Sequence, residues 1–383
     1  MENFILNNPT VLHFGKNVID TLAEQVSLYG NKVLLVYGKG SVKKYGYYEK
    51  VVNKLKNANI SYVEFEGIKP NPNNIDADAA IKVGIDNNVD VVVALGGGSV
   101  IDSSKVIALC IPEKLKSWDV VKGIKNPKKA LPIITILTVA ATGTEMNHFS
   151  VLQNDITKEK LGTRNVLMYP KHSFLDPQFT YSVSENYTAY GLVDVIAHSF
   201  ENFFGIGTSP LADRFASSII KEVMFFAPLI LKEPNNYEYR ANMMLQACYA
   251  LNGTLASGKT GGDWGTHSIG HILSLLFDMP HGASLSIAYL AWFKIMKDEI
   301  PERIKKIASL LFNTEDIDFF ITKMEDFFIL IGSPVNLYDA GVSLDKKQEI
   351  VDLLTKNKAT GYNYQFNNYE HLVDLMYDNK LKA

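Results

Sequence analysis

The sequence predicts an α/β first half followed by an all-helical second half, and three observations carry that prediction. Between residues 31 and 177, short β-branched apolar runs alternate with amphipathic stretches, the pattern of strands and crossover helices in a parallel sheet. From about residue 184 the period becomes helical and stays so through the rest of the sequence. At 383 residues the chain exceeds the roughly 250 to 300 residues at which one core stops growing, so two domains are expected, 1–183 and 184–383.

The elements follow in order. Residues 33–37, Val-Leu-Leu-Val-Tyr, read as a buried strand that runs into the turn Gly38-Lys39-Gly40-Ser41. A helix is expected over 45–59, with Val51, Val52 and Leu55 facing inward. A second strand over 62–65 leads into Pro70-Asn71-Pro72-Asn73, where the prolines enforce a loop before a helix over 75–87. The third strand, 90–95, ends in Gly96-Gly97-Gly98-Ser99 and is followed by a helix over 100–110; another strand, 133–137, ends at Thr138. Helices are expected over 186–204, 211–231, 237–256 and 266–277, with several more beyond, and no internal repeat or low-complexity segment is visible.

Composition narrows the function. The formal charge of −3 comes from 38 basic and 41 acidic residues spread without a basic run or acidic tail, so nucleic acid is not an expected partner. The longest apolar runs, such as 91–95 and 131–137, fall far short of the roughly 20 residues that cross a bilayer, and no membrane association is expected. The first nine residues lack the basic and apolar regions of a secretion signal. Two cysteines, Cys110 and Cys248, lie far apart in segments that read as buried helix, unlike a disulfide framework or a thiolate zinc site, so a reducing, cytoplasmic location is expected.

A glycine turn between strand and helix lets phosphate oxygens approach backbone N–H groups, and Gly96-Gly97-Gly98-Ser99 has that placement. Three consecutive glycines cost backbone entropy that a plain connection does not need. Neither turn matches G-x-G-x-x-G, because Ile101 and Lys43 stand at the third glycine position. The Gly38 turn, with Lys39, Ser41, Lys43 and Lys44 and no acid of its own, favours NADP(H) over NAD(H), although Glu66 at the end of the next strand keeps NAD(H) in play. Asp102 is read either as a cofactor residue or as a capping-box partner of its helix.

Four of the eight histidines fall between 198 and 281. Asp194 and His198 are i and i+4, on one helix face about 5 to 6 Å apart at Cβ, and His267 and His271 form a second such pair. His281 follows within Met279-Pro280-His281-Gly282, where the turn can bring its ring back toward that helix. Imidazoles with a carboxylate suit Fe2+ or Zn2+ alike. A divalent ion with an open position, beside nicotinamide, implies hydride transfer to a carbonyl.

With these residues in view, the chain resembles the iron-containing alcohol dehydrogenases, most closely their NADPH-dependent butanol dehydrogenase branch. The resemblance runs nearly end to end. It rests on Pro9-Thr10 with Phe14-Gly15, on Tyr37 to Ser41, on Asn71-Pro72, on Gly96 to Lys105 and on Ala141 to Glu145. In the second half it rests on Thr188 to Asp194 through His198 to Glu201, on His267 to His271, and on Pro280-His281-Gly282. What it implies is a Rossmann-like dinucleotide-binding α/β domain and an all-α metal-binding domain, dehydroquinate synthase-like, with the active site in the cleft between them. It further implies Asp194, His198, His267 and His281 as metal ligands and His271 beside them in a positioning or proton-relay role. Gly38, Lys39, Gly40, Ser41, Asn71, Gly97, Gly98, Ser99, Asp102, Thr138, Thr142 and Lys160 are expected along the dinucleotide. Thr138 and Lys160 rest on the resemblance alone. A homodimer is expected on the same ground.

Tyr190 and Ile196 stand where small or polar residues are commoner in the family, and Thr138-Val139-Ala140-Ala141 replaces its usual Thr-Thr-Ala stretch, so pocket shape is expected to differ. Phe149, Trp264 and Tyr289 are further candidates to set it. The expected activity is reduction of short-chain aldehydes such as butanal. The rivals are an NAD-dependent glycerol- or diol-type dehydrogenase, a metal-dependent cyclase forming dehydroquinate, for which only Lys259 offers a basic residue near the ligands, a metallohydrolase, and a non-catalytic nucleotide-binding protein.

Overall fold

The protein is described by a computed structural model covering residues 1–378. Packing divides it into two units. One comprises Asn7–Val183 with Asn235–Asn252; the other comprises Met1–Leu6, Ser184–Pro234 and the chain from Gly253 onward. The division differs from a single cut at 183/184 in two exchanged segments, 1–6 and 235–252; residues 379–383 of the expected second domain lie outside the described residues.

The first unit is built on eight strands: β1 (Val11–Phe14), β2 (Lys32–Gly38), β3 (Ser61–Ile68), β4 (Val91–Gly96), β5 (Ile133–Leu137), β6 (Phe149–Asn154), β7 (Glu159–Arg164) and β8 (His172–Leu175). Six form a parallel sheet in the order β1-β8-β5-β4-β2-β3. Its helices are α1 (Leu22–Ser27), α2 (Ser41–Lys44), α3 (Tyr47–Asn57), α4 (Asn74–Asn87), α5 (Gly98–Cys110) and α6 (Ser117–Val121). Every residue of β4 is buried, which is why it reads as an unbroken Val-Val-Val-Ala-Leu run rather than an alternating one. Alternation returns in what each face meets. Val33, Leu35, Val91, Val93 and Ile134 pack with α1 and α3 through Leu22, Val26, Val51 and Leu55.

The chain runs from β2 outward to the edge strand β3 and returns to β4 on the other side of β2. Strand order therefore reverses between β2 and β4, and ligands of open α/β sheets bind outside the carboxyl ends of the strands at that reversal. Both glycine turns, Gly38–Ser41 and Gly96–Ser99, leave the sheet there.

Three differences from the sequence-based expectation have local causes. The helix expected over 45–59 is present as α3, Tyr47–Asn57, but a separate one-turn helix, α2, stands unexpectedly before it, because Gly40 and Gly46, at φ 44° and 75°, set two starts. The helix expected over 237–256 stops at Ala250, before Asn252 and a Gly253 at φ 100°. The antiparallel hairpin β6/β7 was not expected. Its second strand, Glu-Lys-Leu-Gly-Thr-Arg, has one large apolar residue and no strand signal of its own.

The second unit contains α7 (Glu185–Phe203), α8 (Pro210–Lys232), α10 (Gly265–Phe277), α11 (His281–Met296), α12 (Pro301–Phe312), α13 (Ile317–Leu330), α14 (Lys347–Asn357) and α15 (Tyr369–Tyr377); α9 (Tyr237–Ala250) packs with the α/β unit. One core joins α10, α11, α14 and α15 through Ile269, Leu273, Ile287, Leu354 and Leu372. Around Phe200 and Phe293, an aromatic cluster includes Tyr289, whose ring is buried and whose hydroxyl donates to the Ala197 carbonyl at 3.0 Å. Tyr289 is thus a core residue and not a pocket determinant.

Candidate metal centre and nucleotide site

In the helical unit, α7 places Asp194 and His198 one turn apart, α10 supplies His267 from its first turn and His271 from the next, and α11 begins at His281. Pro280 precedes His281 and fixes the entry of α11. Gly282 lets α11 approach α7: a Cβ there would lie 2.0 Å from the Tyr190 carbonyl oxygen.

The Nε2 atoms of His198, His267 and His281 lie 3.7, 3.8 and 3.8 Å from one oxygen, Asp194 Oδ1. Ligand atoms sharing a tetrahedral ion at about 2.0 to 2.2 Å stand roughly 3.3 to 3.6 Å apart, so a small contraction seats one. Asp194, His267 and His281 offer ligand atoms that all lie within 4.8 Å of one another. Asp194, His198 and His267 are buried, while the His281 side chain keeps 26% of its exposure and marks the open side.

His267 supplies the test of fit. Its Nδ1 lies 2.7 Å from Glu201 Oε1, and its buried Nε2 has no hydrogen-bond partner. A carboxylate on one ring nitrogen makes that nitrogen the donor and leaves the other a lone pair, the usual support of a metal-bound imidazole. Glu201 also accepts from the Thr266 hydroxyl at 2.6 Å and from the backbone N–H of Trp264 and His267, so its position is fixed. Burial pushes His198 down to about 4 and keeps it in the neutral form that ligates. Burial works the same way on His267, but the facing Asp194 and Glu201 carboxylates outweigh it and pull the ring up to about 9. The pocket thus favours a cation where the four side chains converge.

The remaining expectations near this centre resolve as follows. The His271 ring lies 5.4 Å from that of His281 and is half-buried. Trp264 meets His267 edge-on at 5.1 Å. Lys259 donates to Asp213 at 2.9 Å and to the Asn202 carbonyl at 2.8 Å; Arg303 and Lys306 pair with the same Asp213. Lys259 is therefore engaged in closing the C-terminal end of α7 and does not reach out for a substrate phosphate.

In the α/β unit the Gly96–Ser99 turn opens α5. A Cβ on Gly98 would lie 2.6 Å from Thr142 Cγ2, so only glycine allows the turn and the 138–142 loop to approach this closely. Thr138 is buried at the end of β5, its N–H on the Gly96 carbonyl at 3.0 Å. Ser99 donates to the Pro70 carbonyl at 2.6 Å, and Lys160 reaches from β7 to Asn71 Oδ1 at 2.9 Å. The expected residues of the 70–73 loop, the Gly96 turn and the hairpin are thereby linked. Gly38, Lys39, Gly40 and Ser41 form the neighbouring turn. Asp102 does not cap its own helix; its carboxylate accepts from the Thr144 hydroxyl at 2.5 Å and from the Val151 N–H at 2.8 Å, fastening β6 to α5.

Two charged groups beneath this turn were not expected. Lys105 is fully buried and donates to Thr144, Asn147 and the Phe149 carbonyl at 2.6, 3.0 and 2.7 Å; burial lowers it to about 8. Glu145 is buried with no hydrogen-bond donor from another residue on either carboxylate oxygen, and burial raises it to about 7. The signal for Lys105 was its spacing, four residues after Ile101 and four before Leu109, both buried on α5.

Comparison with known proteins identifies the family. The family model described as iron-containing alcohol dehydrogenase matches residues 9–177, and its C-terminal counterpart matches 188–379. A probable NADH-dependent butanol dehydrogenase of Bacillus subtilis is 38% identical over 94% of this chain and 95% of its own. The NADPH-dependent aldehyde reductase YqhD of Escherichia coli is 34% identical over 98% of both. The crystal structure of an NADH-dependent butanol dehydrogenase from Thermotoga maritima superposes with a TM-score of 0.94 at 36% identity, covering 99% of each chain. Two matched halves, relatives of equal length and a shared architecture leave one conclusion: the chain belongs to the iron-containing alcohol dehydrogenase family.

Proposed function

We propose that this chain is a metal-dependent alcohol dehydrogenase working as an aldehyde reductase, moving a hydride between a nicotinamide dinucleotide and short-chain aldehydes such as butanal. The observation that carries the reading is the His267 imidazole, fixed on one side by Glu201 and turned on the other toward Asp194, where two more imidazoles converge. The relatives support the substrate class: those of Bacillus and Thermotoga are named for butanol and that of Escherichia for aldehydes. Their names divide between NADH and NADPH, so both dinucleotides lie within the family's range.

Asp194, His198, His267 and His281 would hold one divalent ion, Fe2+ or Zn2+. Such an ion, when bound, draws electron density from a carbonyl oxygen and makes the carbon a better hydride acceptor. Glu201 keeps His267 in the tautomer whose Nε2 faces the other ligands. Trp264 walls the site beside His267 and excludes water from that side. The backbone of the Gly96–Ser99 turn receives the pyrophosphate, with Ser99 tying the turn to the 70–73 loop. Reduction transfers a hydride to the carbonyl carbon and a proton to its oxygen, and we assign His271, beside His281, to the proton.

A cytoplasmic homodimer completes the proposal. Both cysteines are buried free thiols, as a reducing compartment permits. Among the described residues no helix is long and apolar enough to cross a membrane. The dehydroquinate-type cyclase loses ground because Lys259 is locked to Asp213. Purified metal-loaded protein should oxidise NADH or NADPH with butanal. Chelation, or Asp194→Ala, should lower kcat/KM on the order of a thousandfold, the equivalent of the several kcal/mol a Lewis acid supplies. Turnover indifferent to both treatments would remove the metal from the reaction.

A further inference from the structure

The Gly38 turn reads from sequence as basic and without an acid of its own, with Glu66 at the end of the next strand, and the structure brings that carboxylate to the turn. Glu66 lies beside Tyr37 in the register of β2 and β3, one strand over from the turn. Its Oε2 takes Lys43 Nζ at 2.6 Å and lies 3.4 Å from the Tyr37 hydroxyl. Two residues earlier on β3, Glu64 accepts from Tyr37 at 2.5 Å and from Tyr48 at 2.6 Å. The Lys43 ammonium stands 5.1 and 5.2 Å from the centroids of those same two rings. The cation that composition offered to a ligand is thus held by one carboxylate and two aromatic faces.

The location gives this cluster its meaning. It sits at the carboxyl ends of β2 and β3, beside the strand reversal between β2 and β4 where the dinucleotide is placed. With the pyrophosphate on the Gly96–Ser99 turn after β4, the adenosine end extends over the Gly38 turn of the neighbouring β2, and an acid reaching that turn can accept from the ribose 2′-hydroxyl; Glu66 is such an acid. A 2′-phosphate brought to the same place would meet the Glu66 and Glu64 carboxylates, with Lys43 already neutralised. Like charges at hydrogen-bond range disfavour such a ligand, and with Lys43 held by Glu66 the turn has the exposed Lys39 alone to set against both carboxylates. Lys44 is turned to another ring, lying 5.3 Å from the Tyr45 centroid.

We infer that Glu66 is a specificity-determining residue that sets this enzyme for NADH over NADPH, by engaging Lys43 and occupying the place of the 2′-phosphate. The inference rests on the dinucleotide reading above. Its basis is the geometry of Glu66, Lys43 and the strand reversal, which the basic composition of the turn did not reveal.

Two probes test it without nicotinamide, metal or turnover: 5′-AMP, and 2′,5′-ADP, which adds only the 2′-phosphate. Calorimetric titration of the full-length wild type should show 2′,5′-ADP bound no more tightly than 5′-AMP. Glu66→Gln should tighten 2′,5′-ADP by about tenfold or more while holding 5′-AMP no more tightly than wild type. The double variant Glu66→Gln with Lys43→Met should lose that gain, since the released ammonium provides it. NADPH and NADH steady-state ratios should move in the same direction. The proposal is overturned if wild type already prefers 2′,5′-ADP about tenfold, or if Glu66→Gln leaves the ratio of the two probes unmoved. Failure of every form to bind either probe would remove it together with the dinucleotide reading; binding of both with an unmoved ratio would remove it alone.

Discussion

Glu201 accepts four donors around the first turn of α10, and one of them, His267 Nδ1, decides which nitrogen of that ring faces Asp194. Replacing it by glutamine keeps the volume and removes the charge that holds the tautomer. Partners of this kind are worth roughly 10- to 100-fold in metal affinity. Glu201→Gln should therefore weaken binding of Zn2+ or Fe2+ by that factor in competition with a chelator, and unchanged affinity would show that His267 needs no such support. The pairing of Asp194 with His198 on one face of α7 was legible from their i and i+4 spacing. Glu201 was visible only as part of a motif. Its place seven residues after Asp194, on the same face, was the available signal, but its partners lie on α10, and sequence spacing does not report which helix faces which.

At the scale of elements, the central parallel strands β2, β4 and β5 were legible because burial on both faces makes them largely apolar runs, whereas the short β1 and β8 were not expected. The hairpin β6/β7 was not, since half of it is polar, yet it delivers Lys160 to Asn71. Helix crossings were equally hidden. The approach of α11 to α7 depends on the missing side chain of Gly282, whose neighbour is backbone, the Tyr190 carbonyl, and cannot rotate aside. In Gly282→Ala the start of α11 must move away from α7 and take His281 with it. Overpacking of this kind costs about 1–3 kcal/mol. We expect a lowered denaturation midpoint together with substoichiometric metal by elemental analysis. A variant with wild-type stability and full metal content would show that the two helices are not held by this contact.

Across the whole chain, charge is nearly balanced, so stability against pH depends on a few buried groups rather than on overall repulsion. Glu145 and Lys105 in the α/β unit pull in different ranges. Glu145 is raised by burial from 4.5 to about 7, so its contribution is complete below about 4.5, where folded and unfolded chains both carry the proton. Between 4.5 and 7 the unfolded chain has released that proton while the folded one keeps it, and stability falls as pH rises. Lys105 is lowered from 10.5 to about 8, so its contribution is complete above 10.5 and is lost as pH falls through 8. The two windows do not overlap, which makes the first separately measurable. At about 1.4 kcal/mol per pH unit, Glu145 accounts for a decline on the order of 3 kcal/mol between pH 4.5 and 7. Glu145→Gln carries no titrating proton and should flatten that limb, leaving the rise above pH 8 in place. Urea midpoints of wild type and variant at pH 5 and pH 7.5 decide the matter, because a variant that keeps the wild-type decline would place its origin elsewhere.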